Sequence, residues 1–134
     1  MSDKKKSSDN PRIVVIQKLY SYFLNKESEL IIPKHKHKKF IKDTVLGTIE
    51  REELLLVNLK TILNDDFNPS RTDLILKLMI LSATFELMFS HKTPTNVVVS
   101  EYIKISDFFL ESAHKGYLNA ILDKVSKNVR KNSE

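Results

Sequence analysis

The sequence predicts an all-helical protein built on one core, and three observations carry that prediction. Leu, Ile and Lys dominate the composition, while two glycines and four prolines supply little material for hairpin turns. With 134 residues, 41% of them hydrophobic, the chain can close a single core and is short for two domains. The third observation is the stretch from residue 74 to 89, Leu-Ile-Leu-Lys-Leu-Met-Ile-Leu-Ser-Ala-Thr-Phe-Glu-Leu-Met-Phe, where apolar residues fall on every side of the helical period. Such a helix is enclosed by neighbours on all faces, so it is expected at the centre of the fold. A membrane span would need about 20 apolar residues with few charges, and this stretch is shorter and carries Lys77 and Glu86.

The elements follow in order. Residues 1–9 are polar, with Lys4, Lys5 and Lys6 and no hydrophobic period, and read as a flexible basic arm; residues 10–134 form the helical domain. Asn10-Pro11 reads as a cap followed by a first-turn proline. The helix it opens runs to about Leu24, with Ile13, Ile16, Tyr20 and Phe23 on one face. Pro33 and the run Lys34-His35-Lys36-His37-Lys38-Lys39 oppose a helix start by their charge, and read as a loop or a frayed turn. From Phe40 to Leu63 apolar residues recur at helical spacing, with Gly47 marking a close crossing or a bend. Ser70 followed by Asp73 resembles a capping box ahead of the central helix. Thr93-Pro94 reads as the cap and first-turn proline of the next helix, in which Val98, Tyr102, Ile105 and Phe109 keep the helical step through three consecutive valines. A last helix puts Leu118, Ile121, Leu122, Val125 and Val129 on one side.

Several kinds of chemistry are excluded. Without cysteine there is no disulfide and no thiolate, which suits a reducing compartment. No glycine-rich phosphate loop and no nucleophile, base and orienting acid stand together, so neither an enzyme nor a cofactor is expected. His35 and His37 lack nearby partners that would complete a metal set. Met1 is followed by charge rather than an apolar run, which makes a leader or anchor unexpected and a cytoplasmic location the expectation. Twenty-two Lys and Arg against seventeen Asp and Glu leave a net charge of +5, which favours a polyanionic partner. The lysines crowd into residues 4–6, residues 34–42 and the end of the chain.

Arg12 followed by Gln17-Lys18-Leu19-Tyr20-Ser21 resembles the first helix of the bacterial transcription antitermination factor NusB family. Phe85-Glu86-Leu87 is similar to the Tyr-Glu-Leu that closes that family's central helix. Pro94 with Val97, Val98, Val99, Ser100 and Glu101 resembles its Pro-x-x-Val-x-Ile-Asn-Glu helix, and Tyr117-Leu118-Asn119-Ala120-Ile121-Leu122-Asp123 its Phe-Val-Asn-Gly-Val-Leu signature. The resemblance implies about six or seven helices in two packed subdomains. It also implies a function without catalysis, in which the protein pairs with NusE, a small ribosomal subunit protein, binds the boxA element of nascent ribosomal RNA and joins the elongating RNA polymerase. Some members of the family are homodimers, and the resemblance allows that form too. A protein-only helical adaptor is one alternative. Another is the RNA-recruiting domain of a ribosomal RNA methyltransferase, for which the 134 residues leave no room for a cofactor-binding sheet.

On this reading the RNA-binding candidates are Lys4, Lys5, Lys6, Arg12, Tyr20 and Tyr117: cations for phosphates and aromatic faces for splayed bases. The chain departs from the family in keeping only Arg12 of an arginine-rich start, since lysine supplies charge without the bidentate fork. Arg12 is therefore expected to be the residue that can hold a base edge. Ala120 stands where the signature has glycine, and is expected to loosen a close approach. Ala113 stands where the family has Asp. Asn119 and Asp123 are expected to bond backbone at the last helix.

Overall fold

The computed structural model of the protein describes residues 9–130. The basic arm expected at residues 1–9 therefore lies almost wholly outside the described residues. Six α-helices are present among the described residues and no strand: α1 (Pro11–Leu24), α2 (Lys38–Glu50), α3 (Glu52–Leu63), α4 (Leu74–Phe89), α5 (Thr95–Phe109) and α6 (Ser112–Val129). Short 3-10 turns at Asn64–Asp66 and Pro69–Arg71 join α3 to α4.

The central position of α4 follows from its sequence. Its residues 78–87 are all buried, and it packs against all five other helices. On one side α1 and α2 pack with each other, and on the other α5 and α6 pair with α3 alongside; both groups use α4 as their common wall. The two packed groups share one continuous apolar core, running from Ile13 and Ile16 through Leu78, Met79 and Leu81 to Leu122 and Val125.

Local chemistry sets the helix boundaries. Asn10 caps α1 by accepting from the Arg12 amide at 3.0 Å, with Pro11 in the first turn where a missing N–H costs nothing. The same Asn-Pro pair recurs at Asn68-Pro69, and it displaces the capping box expected from Ser70 and Asp73. Asn68 accepts from the Ser70 amide at 3.1 Å and starts a 3-10 turn, so Ser70 lies inside a turn and Asp73, at the N-cap of α4, makes no side-chain cap bond. The apolar spacing from Phe40 to Leu63 covers two helices, broken at Arg51 rather than at Gly47. Glu52 and Glu53 favour a new start there by lying in the first turn of α3, at the positive end of its dipole. Thr93 is not the cap of α5: Pro94 itself occupies the N-cap position, and its carbonyl accepts the first helical bonds from the Val97 and Val98 amides at 3.1 Å. The loop reading of residues 34–37 holds, with α2 beginning at Lys38.

Gly47 marks the close crossing. It is buried where α2 meets α4, and a Cβ built on it would overlap the ring of Phe85. Two effects of opposite sign meet at this position. Alanine is favoured over glycine inside a helix by about 1 kcal/mol, while overpacking costs about 1–3 kcal/mol. The overlap is with ring carbons that Gly47 packs against directly, so the second effect should win. Gly47→Ala is expected to lower stability by roughly 1–2 kcal/mol, and adding Phe85→Leu should return much of the loss. Urea denaturation of the two variants checks this; a stabilised Gly47→Ala would show that the ring moves aside freely.

Candidate nucleic-acid interface

The most unusual feature inside the fold is a carboxylate. Glu86 lies in the last turn of α4 with no solvent exposure. Arg12, on the first turn of α1, donates to it twice, from Nε at 2.9 Å and from Nη2 at 2.6 Å. The Tyr102 hydroxyl on α5 donates to the same carboxylate and lies 2.6 Å from the Ser82 hydroxyl. The Arg12 guanidinium also sits over the Phe40 ring of α2, 4.8 Å from its centroid. Burial opposes the charge on Arg12, but the hydrogen bonds and negative charge of Glu86 outweigh it and hold its pKa above the ordinary arginine value. Burial, and then the negative charge of Glu86, push the Tyr102 phenol well above the usual tyrosine value.

A second buried arginine closes the same end of α4. Arg130, just past α6, donates to the carbonyls of Glu86, Leu87, Ser90 and Thr93, with Nε reaching the Leu87 oxygen at 2.8 Å and Nη2 the Ser90 oxygen at 3.0 Å. The last carbonyls of a helix have no partner within it, and a cation there also meets the negative end of the dipole. The sequence alone groups Arg130 with the basic end of the chain. Its signal is weak: one arginine among lysines, at a position where a planar five-donor fork can satisfy several carbonyls at once.

The expected RNA contacts divide on this framework. Arg12 is expected from the sequence to present a base-edge contact, but its guanidinium faces inward and the residue is only 8% exposed. Tyr20 lies at the rim of the α1 apolar stripe and is exposed, with 37% of its surface accessible. Tyr117 is half-buried, and its hydroxyl donates to the Asp66 carbonyl at 2.6 Å, tying α6 to the turn after α3. Burial and the negative charge of Asp66 raise its pKa. The rise per residue places Tyr117 about 20 Å along α6 from Arg130, whose guanidinium lies at the end of α4 that Arg12 also occupies. Arg12 and Tyr117 thus belong to opposite ends of the central helix. Ala120 is exposed, so its methyl occupies no tight crossing, and Ala113 is exposed as well. Asn119 and Asp123 are also exposed, and the Asp123 carboxylate pairs with Lys127 at 3.0 Å instead of bonding backbone.

The sequence profile of the NusB family matches residues 9–127. The chain belongs to the NusB family. Among its relatives, the transcription antitermination protein NusB of Mesorhizobium japonicum is 29% identical over 110 residues, which is 82% of this chain and 71% of that protein. The corresponding NusB protein of Sphingopyxis alaskensis is 25% identical over an alignment covering 98% of this chain and 99% of its own. The fold agrees with NusB of T. maritima, with a TM-score of 0.77 at 19% identity over 87% of this chain and 88% of that one. It also agrees with a chain from a structure of the antitermination factors NusB and NusE in complex with dsRNA, with a TM-score of 0.74 at 14% identity over 92% and 98% of the two chains. The family match includes Arg12, Glu86, Tyr102 and Tyr117, so the buried pair and the α6 tyrosine all lie within the NusB portion. No helix of the described residues is long and apolar enough to cross a membrane.

The Tyr102 phenol has a measurable consequence. An unfolded tyrosine loses its proton near pH 10, and the folded Tyr102 holds its proton to higher pH. Below about pH 10 both states are protonated and this site adds no pH dependence; above it only the unfolded state releases a proton, so stability falls, by at most about 1.4 kcal/mol per pH unit. Tyr102→Phe should remove that part of the alkaline slope, and should lower stability near neutral pH by about 1–3 kcal/mol by depriving Glu86 of a buried donor. Urea midpoints of both proteins between pH 8 and 11.5 measure this, and parallel slopes above pH 10 would contradict it.

Proposed function

We propose that this NusB-family protein acts as a transcription antitermination factor that binds RNA together with NusE. The observation that carries the reading is the family match over residues 9–127, joined by relatives named transcription antitermination protein NusB that align along most of the chain. The agreement in fold with a chain from the complex of the antitermination factors NusB and NusE with dsRNA supports the same reading. The RNA is proposed to be the boxA element of nascent ribosomal RNA, and the complex is proposed to join elongating RNA polymerase in the cytoplasm. The protein works in this reading as a binding module, without catalysis of its own.

The roles of individual residues follow from placement and chemistry. Tyr20 offers an exposed aromatic face on α1, and Tyr117 offers the part of its ring left open while its hydroxyl is held by Asp66. Each suits stacking with a base that has left its own stack. Lys4, Lys5 and Lys6 precede the first helix and are proposed as phosphate contacts, compact charges that supply attraction without base preference. Arg12 takes a different part: held by Glu86, it fixes the start of α1 and so the point from which the arm departs. It is a positioning residue in this reading.

The test is a mobility-shift titration of boxA RNA and of a scrambled RNA of equal length, with and without the cognate NusE. NusE should raise the affinity for boxA, and boxA binding as tight without NusE as with it would overturn the joint mode. Replacing Lys4, Lys5 and Lys6 with Ala should weaken both RNAs by similar factors. It should also flatten the slope of log affinity against log salt by up to roughly 2 units, at about 0.7 for each single-strand phosphate no longer neutralised. An unchanged slope would remove the arm from the RNA path.

A further inference from the structure

The excess positive charge of this chain is concentrated where the α1–α2 connection runs into the first turns of α2. Residues 33–43 hold five lysines and a single aspartate, a net +4 against +5 for the whole chain. The arm, by contrast, carries Lys4, Lys5 and Lys6 against Asp3 and Asp9, a net +1. The basic end of the chain is largely committed elsewhere: Lys124 pairs with Asp66 at 3.2 Å, Lys127 with Asp123 at 3.0 Å, and Arg130 is buried. Within residues 33–43 only Lys39 is paired, with Asp43 at 2.6 Å, whereas Lys34 and Lys36 in the connection and Lys38 and Lys42 on α2 are exposed and make no ion pair among the described residues.

The connection is also shaped. The His37 amide donates to Nδ1 of His35 at 2.9 Å, and the Lys38 amide donates to the His35 carbonyl at 3.1 Å, folding residues 35–38 into a turn against the start of α2. Lys34, His35 and Lys36 then line a groove with Pro33, whose other wall is Asp9 and Val14 at the root of the arm. Lys38 and Lys42 continue the positive surface along α2, since residues four apart share a helix face. The root of the arm and the most basic segment of the protein are therefore adjacent, and Asp9 is the acid of that groove.

We infer that Lys34, Lys36, Lys38 and Lys42 form a phosphate-binding track for single-stranded RNA, continuous with the root of the arm and additional to it. The inference rests on the RNA-binding function proposed above and adds a surface to it. Exposed lysines on an ordered turn and the helix that follows it attract a polyanion through counterion release and carry no base preference of their own. The track thus supplies attraction that an arm of net charge +1 supplies weakly, and it offers the strand a route from the groove onto the solvent face of α2. An acidic protein segment is the competing occupant, and the experiment tells the two apart.

The experiment compares the full chain with a variant carrying Lys34→Gln, Lys36→Gln, Lys38→Gln and Lys42→Gln, all at exposed positions. Circular dichroism confirms that the variant folds. Both proteins are titrated with boxA RNA and scrambled RNA at several salt concentrations in the presence of NusE, and their NusE binding is measured separately by pull-down. The expected result is weaker binding of both RNAs by similar factors and a salt slope flattened by up to roughly 3 units, about 0.7 for each of four phosphates released from a lysine, with NusE capture unchanged. An unaltered affinity and slope in the variant, while the unmodified protein binds RNA, would remove the loop from the RNA path and leave the proposed function standing. Loss of NusE capture with RNA affinity retained would assign the surface to a protein and overturn the inference. Failure of the unmodified protein to bind either RNA would overturn the functional reading itself and the inference with it.

Discussion

A carboxylate without access to water has to be neutralised by its neighbours, and the partners of Glu86 come from both ends of the chain and from α5. Arg12 reaches it from α1 and Tyr102 from α5, while Arg130 at the end of α6 bonds the backbone carbonyl of the same residue. One residue of the central helix therefore ties three other helices to it. Burial of an unpaired charge costs several kcal/mol, a sizeable fraction of the roughly 5–15 kcal/mol that typically separates folded from unfolded protein. The apolar core supplies most of the driving force for collapse. The charged cluster adds direction, because a bidentate fork on a fixed carboxylate admits few arrangements of α1 against α4.

Positive charge in this protein consequently falls into two classes with different physics. Arg12 and Arg130 are inside, where a planar, weakly hydrated guanidinium can satisfy a carboxylate or a set of carbonyls. Arg51, Arg71 and the lysines lie nearer the surface, where the strongly hydrated ammonium of lysine on its flexible stem suits transient attraction to phosphate. At the start of the chain the single arginine of α1 is occupied by the fold, which leaves lysines and the exposed face of Tyr20 as the groups there that can meet RNA. Because α1 bears both Arg12 and Tyr20, the buried pair also sets where the exposed ring is displayed.

The central helix, the Asn-Pro start of α1 and the amphipathic last helix are legible in the sequence because each depends on local pattern: uniform burial, a cap beside a fixed φ, a one-sided apolar stripe. Gly47 is legible as a close crossing for the same reason, though the crossing partner Phe85 is not. What escapes the sequence depends on long-range partners. Glu86 and Arg12 are separated by 74 positions, and either side chain read alone passes for a solvated charge. An RNA contact is therefore the natural reading of Arg12 in the sequence, whereas its partner is internal. Ser70 fits a local capping motif, and it loses that role to a stronger local motif, Asn68-Pro69, immediately before it. The break at Arg51 is hidden by apolar spacing that stays in phase across two helices. The family resemblance singles out Arg12, Phe85-Glu86-Leu87 and Tyr117, and the structure gives each a structural role: Arg12 and Glu86 form a buried ion pair, and the Tyr117 hydroxyl holds the turn after α3.

The most direct test of the view that the Arg12–Glu86 pair organises this fold is a double-mutant cycle in the full chain, using Arg12→Met and Glu86→Leu with stability read from urea denaturation. Each single substitution removes the main partner of a buried charge, leaving Glu86 only Tyr102 or Arg12 only the more distant Glu101 carboxylate at 4.0 Å, and should cost up to about 3–5 kcal/mol, while the double variant leaves two apolar side chains and should recover most of that loss. The Tyr102 hydroxyl keeps Ser82 as a partner in either background, so it does not obscure the coupling. A coupling energy of at least about 2 kcal/mol, with the double variant more stable than either single one, is the predicted result. Small single losses, or losses that simply add, would contradict it and show that apolar packing alone sets the position of α1.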